Sequence, residues 1–141
     1  MATQLRNLNI PFTDDFSNAL KETDHIVDAI FGSSNFLLSH FASFLFLLSP
    51  LPVCIPPNII FTIIGFSFSG PLREPFPSVI TSLEETSIPI TSVDAPSSWD
   101  IETGPPTEGP GAKFHPDVLV SLTAPKPLVG FFKGRHFVGG R

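Results

Sequence analysis

From Ser33 to Gly65 the chain runs thirty-three residues without one Asp, Glu, Lys or Arg. Ordinary soluble-protein sequence flanks this block, VDAIFG before it and FSFSGPLREPF after it. Three readings are open: a membrane segment, a buried core, or sequence foreign to the fold around it. A spanning helix needs about 20 apolar residues. Phe36–Leu48 supplies thirteen, with Ser39, His40 and Ser43 among them, before Pro50, Pro52, Pro56 and Pro57 break the run. Ile59–Ile64 is briefer, and no Lys or Arg flanks either run to orient it. A membrane span is therefore not expected, and attachment through 36–48 is the weakest function class. Twenty of the thirty-three residues are Phe, Leu, Ser or Pro, whose codons are largely pyrimidine-rich, and the block equals ninety-nine bases. These features favour an intron retained in frame, so 33–65 is expected to be a non-native insertion, disordered or irregular.

The whole chain, 141 residues, suffices for one domain and not for two. A net charge of -5 gives no basic surface for nucleic acid or anionic lipid. Cys54 is the only cysteine, which excludes an internal disulfide framework and a cysteine-rich zinc site and fits an inert apolar filler. The start, MATQLRNLNI, carries one Arg and no apolar run, so neither a secretory nor a transit peptide is expected.

Residues 11–24 read as a short helix capped by Thr13 or Asp14, with Phe16, Ala19 and Leu20 as its apolar stripe. HIVDAIFG reads as a strand buried on both faces, apolar apart from Asp28. A carboxylate there is costly unless something pairs it. Phe76, Val79, Ile80 and Leu83 fall at helical spacing across Pro75–Thr86, with Glu84 and Glu85 outward. IPITSVDAPSSWD reads as a strand ending at Asp94, GPPTEGPGAKFHPD as loop, VLVSLTAPK as a third buried strand, and GRHFVGGR as a barely completed fourth. That rhythm is the one a parallel α/β sheet requires. Ligands of such sheets sit outside the carboxyl ends of the strands, which makes Asp94, at the end of the second strand, the best candidate for chemistry, with Asp28 near the end of the first. Trp99 reads as packing that props the Asp94 loop, and Lys126 as structural.

No G-x-G-x-x-G, P-loop or G-x-S-x-G occurs, and His25, His40, His115 and His136 have no metal-ligand spacing. What does occur is an ordered set of strings: VDAIFG, FSFSGPLREPF, SVDAPSSWDIETG, HPDVLVSLTAPK and a final F-V-G-G-R. Together they resemble the NAD(P)H-hydrate epimerase family, fungal members in particular, over about 108 residues, nearly everything outside the block.

The resemblance implies a three-layer α/β/α Rossmann-like parallel sheet, incomplete here, with 1–141 as a partial epimerase domain. It implies an isomerase that interconverts the R and S forms of hydrated NADH or NADPH, so that a partner dehydratase can act on the S form. Asp94 would be the substrate-contacting acid/base, since epimerisation needs a proton donor and acceptor close to the reacting carbon. Asp28 and Ser97 would be ligands of a potassium ion, a hard cation suited to oxygen donors. Gly32, Phe66, Ser67, Phe68, Ser69, Gly70 and Pro71 would form the substrate-binding loop. The family further implies a homodimer and a cytoplasmic or mitochondrial setting, and neither nucleic acid nor membrane as a partner. Removing the block joins VDAIFG to FSFSG in the family's register. The family's N-terminal part, with its Asn-Asn-Gly-Gly-Asp-Gly loop, is not in the chain, and Pro71 stands where an acidic residue is usual. The chain as written is therefore expected to be inactive, and a non-catalytic remnant or binding protein is the alternative.

Overall fold

A computed structural model describes residues 13, 15–29, 59–62 and 76–139, with 59–62 described as backbone. Its elements are helix α1 (Phe16–Lys21), strands β1 (His25–Asp28) and β2 (Ile59–Thr62), helix α2 (Phe76–Glu85), strands β3 (Ile90–Val93) and β4 (Val118–Leu122), a 3-10 turn (Pro127–Phe131) and strand β5 (Arg135–Gly139). All five strands are parallel, in the order β2-β1-β3-β4-β5. This sheet with its helices is an incomplete α/β Rossmann-like fold.

The start of α1 differs from expectation. Asp15, not Thr13 or Asp14, is its N-cap, and its carboxylate accepts the Asn18 N–H at 3.0 Å. The Thr13 hydroxyl accepts the Asp15 N–H at 3.0 Å, one step further out. Six residues are too few for a helix to persist alone, and Phe16 and Leu20 anchor this one against the core.

That core is built from Ile26, Leu83, Ile90, Ala95, Trp99, Phe114, Leu119 and Leu128. Helix α2 contributes Ile80 and Leu83, both buried, as its spacing predicts. Glu84 is not simply turned to water. Its Oε1 accepts the N–H groups of Gly111 and Lys113 at 2.8 and 2.9 Å, tying the long loop before β4 to the helix. β4 alternates half-buried and buried residues rather than being buried throughout, because β5 beyond it is a largely exposed edge. β5 pairs with β4 over its whole length, from Val118↔Arg135 to Leu122↔Gly139, so the final strand is complete. The 3-10 turn between them was not legible in the sequence, and it buries Leu128.

One correction falls inside the uncharged block. Ile59–Thr62 is not irregular: it pairs with β1 from His25↔Ile59 to Asp28↔Thr62. The rest of the block, Phe36–Leu48 included, lies outside the described residues. Among the described residues no helix is long and apolar enough to cross a membrane.

Strand order fixes where a ligand crevice can form. The chain moves from β1 outward to β2 on one side, then returns to place β3 on the other side of β1. The switch point therefore lies between β1 and β3, and crevices in open α/β sheets open there, beyond the carboxyl ends.

Candidate functional site

Asp28 closes β1 and Asp94 follows the last residue of β3, so both carboxylates stand at the switch point. Asp28 is completely buried. Its lateral neighbour in the register is Ser92 of β3, also completely buried, and the Ser92 hydroxyl donates to Asp28 Oδ2 at 2.7 Å. Ser97 donates twice, through its N–H to Oδ2 at 2.9 Å and through its hydroxyl to Oδ1 at 2.5 Å. The cost of burying a carboxylate in an apolar strand is thus offset by neutral donors from the next strand and its following loop. Asp28 and Ser97, expected from the sequence as ligands of one ion, are hydrogen-bonded to each other; Ser92 is not singled out by the sequence, its only signal being its place two residues before Asp94.

Asp94 is held differently. It is nine-tenths buried, and its backbone adopts φ 72°. Its N–H donates to the Val120 carbonyl at 2.7 Å, and the next residue, Ala95, donates back to Val93 at 2.9 Å. A hydrogen bond across a central residue of positive φ is the rarer, strained form of the γ-turn. The Asp94 carboxylate accepts from the Leu122 N–H at 3.4 Å and forms an ion pair with the Lys126 ammonium. Lys126 reads as structural in the sequence, yet it is the charged partner of the residue best placed for chemistry.

The loop after Asp94 is set by close contacts. Ser98 also has positive φ, 70°, and its hydroxyl donates to the Ser97 carbonyl. Gly111, at φ 96°, lies so close that a Cβ there would stand 1.6 Å from the Ser98 oxygen. Only glycine fits that approach. Trp99 is a prop, as expected: its indole N–H donates to the Phe114 carbonyl at 3.0 Å, and its ring meets His115 and Phe132 edge-on.

The amino ends of the strands look unlike this. His25 on β1 meets the Thr91 hydroxyl at 2.9 Å, and partial burial lowers its pKa while the charge of nearby Asp117 works the other way. Asp117 accepts the Ile90 N–H at 2.9 Å, a strand-start clasp. In the loop after β3, exposed Asp100 accepts the N–H groups of Thr103 and Glu102, which hold its pKa below the usual carboxylate value. These contacts account for their residues as structural.

Of the residues expected at the site, Asp28, Asp94 and Ser97 come together at one end of the sheet. Gly32 and residues 66–71 lie outside the described residues. Asp28 with the Ser97 hydroxyl is a set of hard oxygen donors, the chemistry an alkali cation takes. Among the described residues no group of three or more His, Cys, Asp or Glu is placed to hold a metal.

The chain is similar to known proteins in both sequence and fold. Residues 2–128 match the family model described as YjeF-related protein N-terminus. A protein of Sclerotinia sclerotiorum named NAD(P)H-hydrate epimerase is 53% identical over 141 residues, covering 100% of this chain and 45% of that protein. One of Aspergillus fumigatus with the same name is 51% identical, covering 100% of this chain and 45% of that protein. The chain thus spans about half the length of the curated relatives it matches. The crystal structure of the yeast protein ynu0 superposes with a TM-score of 0.50 at 28% identity, over 87% of this chain and 57% of that one.

Proposed function

Because the chain belongs to the family of YjeF-related N-terminal domains, we propose that it carries the acid/base side of an NAD(P)H-hydrate epimerase site. The observation that supports this most is Asp94, a carboxylate fixed at a strained strand end beside the switch point. Strain of this kind costs about 1–3 kcal/mol and persists where it serves a site. In this reading the Asp94 carboxylate takes the hydroxyl proton as the ring C–N bond of the hydrated nicotinamide opens to a carbonyl, the bond's electron pair staying on nitrogen, and returns that proton as nitrogen re-adds to the other face of the carbonyl. Lys126 and the Leu122 N–H hold that carboxylate in place. Gly32 and Phe66–Pro71 bind the substrate.

Potassium belongs to the same proposal, with Asp28 and Ser97 as the residues that would hold it; bound there, it supplies a fixed positive charge at the end of β1. So do a dehydratase that consumes the S form, a homodimer, and a cytoplasmic or mitochondrial setting. The block Ser33–Gly65 parts Gly32 from Phe66, which favours a second reading: a chain that binds the substrate without turning it over. Sequencing the transcript across the Gly32/Phe66 junction tests whether the block is an unspliced intron.

The function itself is tested by calorimetric titration of the 141-residue chain with hydrated NADH and with ordinary NADH. The hydrated form is expected to bind, and ordinary NADH to bind at least about tenfold more weakly, the difference one good polar contact makes. Failure to bind either ligand would overturn the epimerase reading.

A further inference from the structure

The strand-end device at Asp94 occurs twice. After β3 the chain reads Asp94-Ala95-Pro96-Ser97, and after the adjacent β4 it reads Thr123-Ala124-Pro125-Lys126. The backbone repeats as well. Thr123 has φ 69° against 72° for Asp94, and the Ala124 N–H donates to Leu122 at 2.8 Å as Ala95 donates to Val93. Each central N–H reaches the next strand out, Asp94 to Val120 of β4 and Thr123 to Gly139 of β5. The fourth residue of each turn reaches back to the carboxylate ending the preceding strand of the sheet, Ser97 to Asp28 and Lys126 to Asp94.

The second turn contacts Asp94 from both sides of Thr123. Its carboxylate contacts the N–H of Leu122, one residue before Thr123, and the ammonium of Lys126, three residues after. Thr123 is exposed, and among the described residues its hydroxyl makes no hydrogen bond. A β-branched residue at positive φ is a conformational outlier. Nothing in the local packing requires threonine there, since a glycine would meet the same turn without the penalty.

We propose that Thr123 is a substrate-binding residue, its hydroxyl hydrogen-bonding a polar substituent of the same ring that Asp94 serves. The proposal rests on the epimerase reading, because that reading supplies the ring. The paired turns set a hydroxyl and a carboxylate on adjacent strand ends, one to hold the ring and one to exchange its proton. Pro96 and Pro125, each two residues past the strained position, fix the chain as it leaves.

The test is titration of hydrated NADH into the wild-type chain and into Thr123→Val and Thr123→Gly. Valine keeps the branched shape and removes only the hydroxyl, and binding is expected to weaken about tenfold with the melting temperature unchanged. Glycine is expected to bind as weakly as valine while melting no lower than wild type. If wild type binds and Thr123→Val binds equally well, Thr123 has no part in the site and the epimerase reading stands. If wild type does not bind, both fall together. A glycine variant that melts several degrees lower, with normal binding in the valine variant, would make Thr123 structural and overturn the proposal.

Discussion

Two carboxylates end neighbouring strands, and the protein treats them in opposite ways. Asp28 is sealed, with two serine hydroxyls and one backbone N–H donating to it from β3 and its loop. Asp94 is held by an ammonium on a side chain that is itself 21% exposed, and by a backbone bent through positive φ. Neutral, buried donors make a rigid seat for the Asp28 carboxylate. A strained turn with a partly solvated counterion makes a group that can meet a substrate. Position at the carboxyl end is shared by both; the difference in surroundings is why we propose Asp94, and not Asp28, for the chemistry.

The contrast predicts unequal costs of mutation. Replacing Asp28 by alanine leaves three donors without their acceptor in a completely buried place. Each such loss costs about 1–3 kcal/mol, so chemical denaturation should show at least about 3 kcal/mol of destabilisation. A loss under about 1 kcal/mol would mean that the Asp28 network is not the seat described. Replacing Lys126 by methionine should cost less, about 1–2 kcal/mol, because removing one partner of a buried pair is expensive while solvent screens this lysine. Should Lys126→Met destabilise as strongly as Asp28→Ala, the distinction between a carboxylate sealed by neutral donors and one held by a partly exposed ammonium fails.

Much of the scaffold is written in local pattern. The apolar spacing of α2 follows directly from Val79, Ile80 and Leu83, and the strands of β1, β3, β4 and β5 from short apolar runs between turn residues. Asp94 is legible because a lone carboxylate ends an apolar run just before Ala-Pro. Lys126 is not, because its meaning lies in a contact across thirty-two positions of sequence that only strand pairing creates. The same holds for Glu84, whose helical position looks solvent-facing until the loop carrying Gly111 folds over it. Thr123 carried a visible signal, the repetition of Ala-Pro after two strands, but the signal gains force only when both turns show the same positive φ. The strand Ile59–Thr62 escaped for another reason: the short apolar run that contains it, Ile59–Ile64, lies in a block that reads as foreign to the fold.

The central claim, that the substrate meets Asp94 and not merely the strand end around it, is tested most directly by titrating hydrated NADH into Asp94→Asn. Asparagine keeps the size and the turn-forming tendency of aspartate, including tolerance of positive φ, and removes the charge. The account predicts a folded protein, judged by circular dichroism, whose affinity is weaker by tenfold or more, the scale of a hydrogen bond to a charged group, about 1.5–3 kcal/mol. Unchanged affinity in a folded Asp94→Asn protein would contradict it.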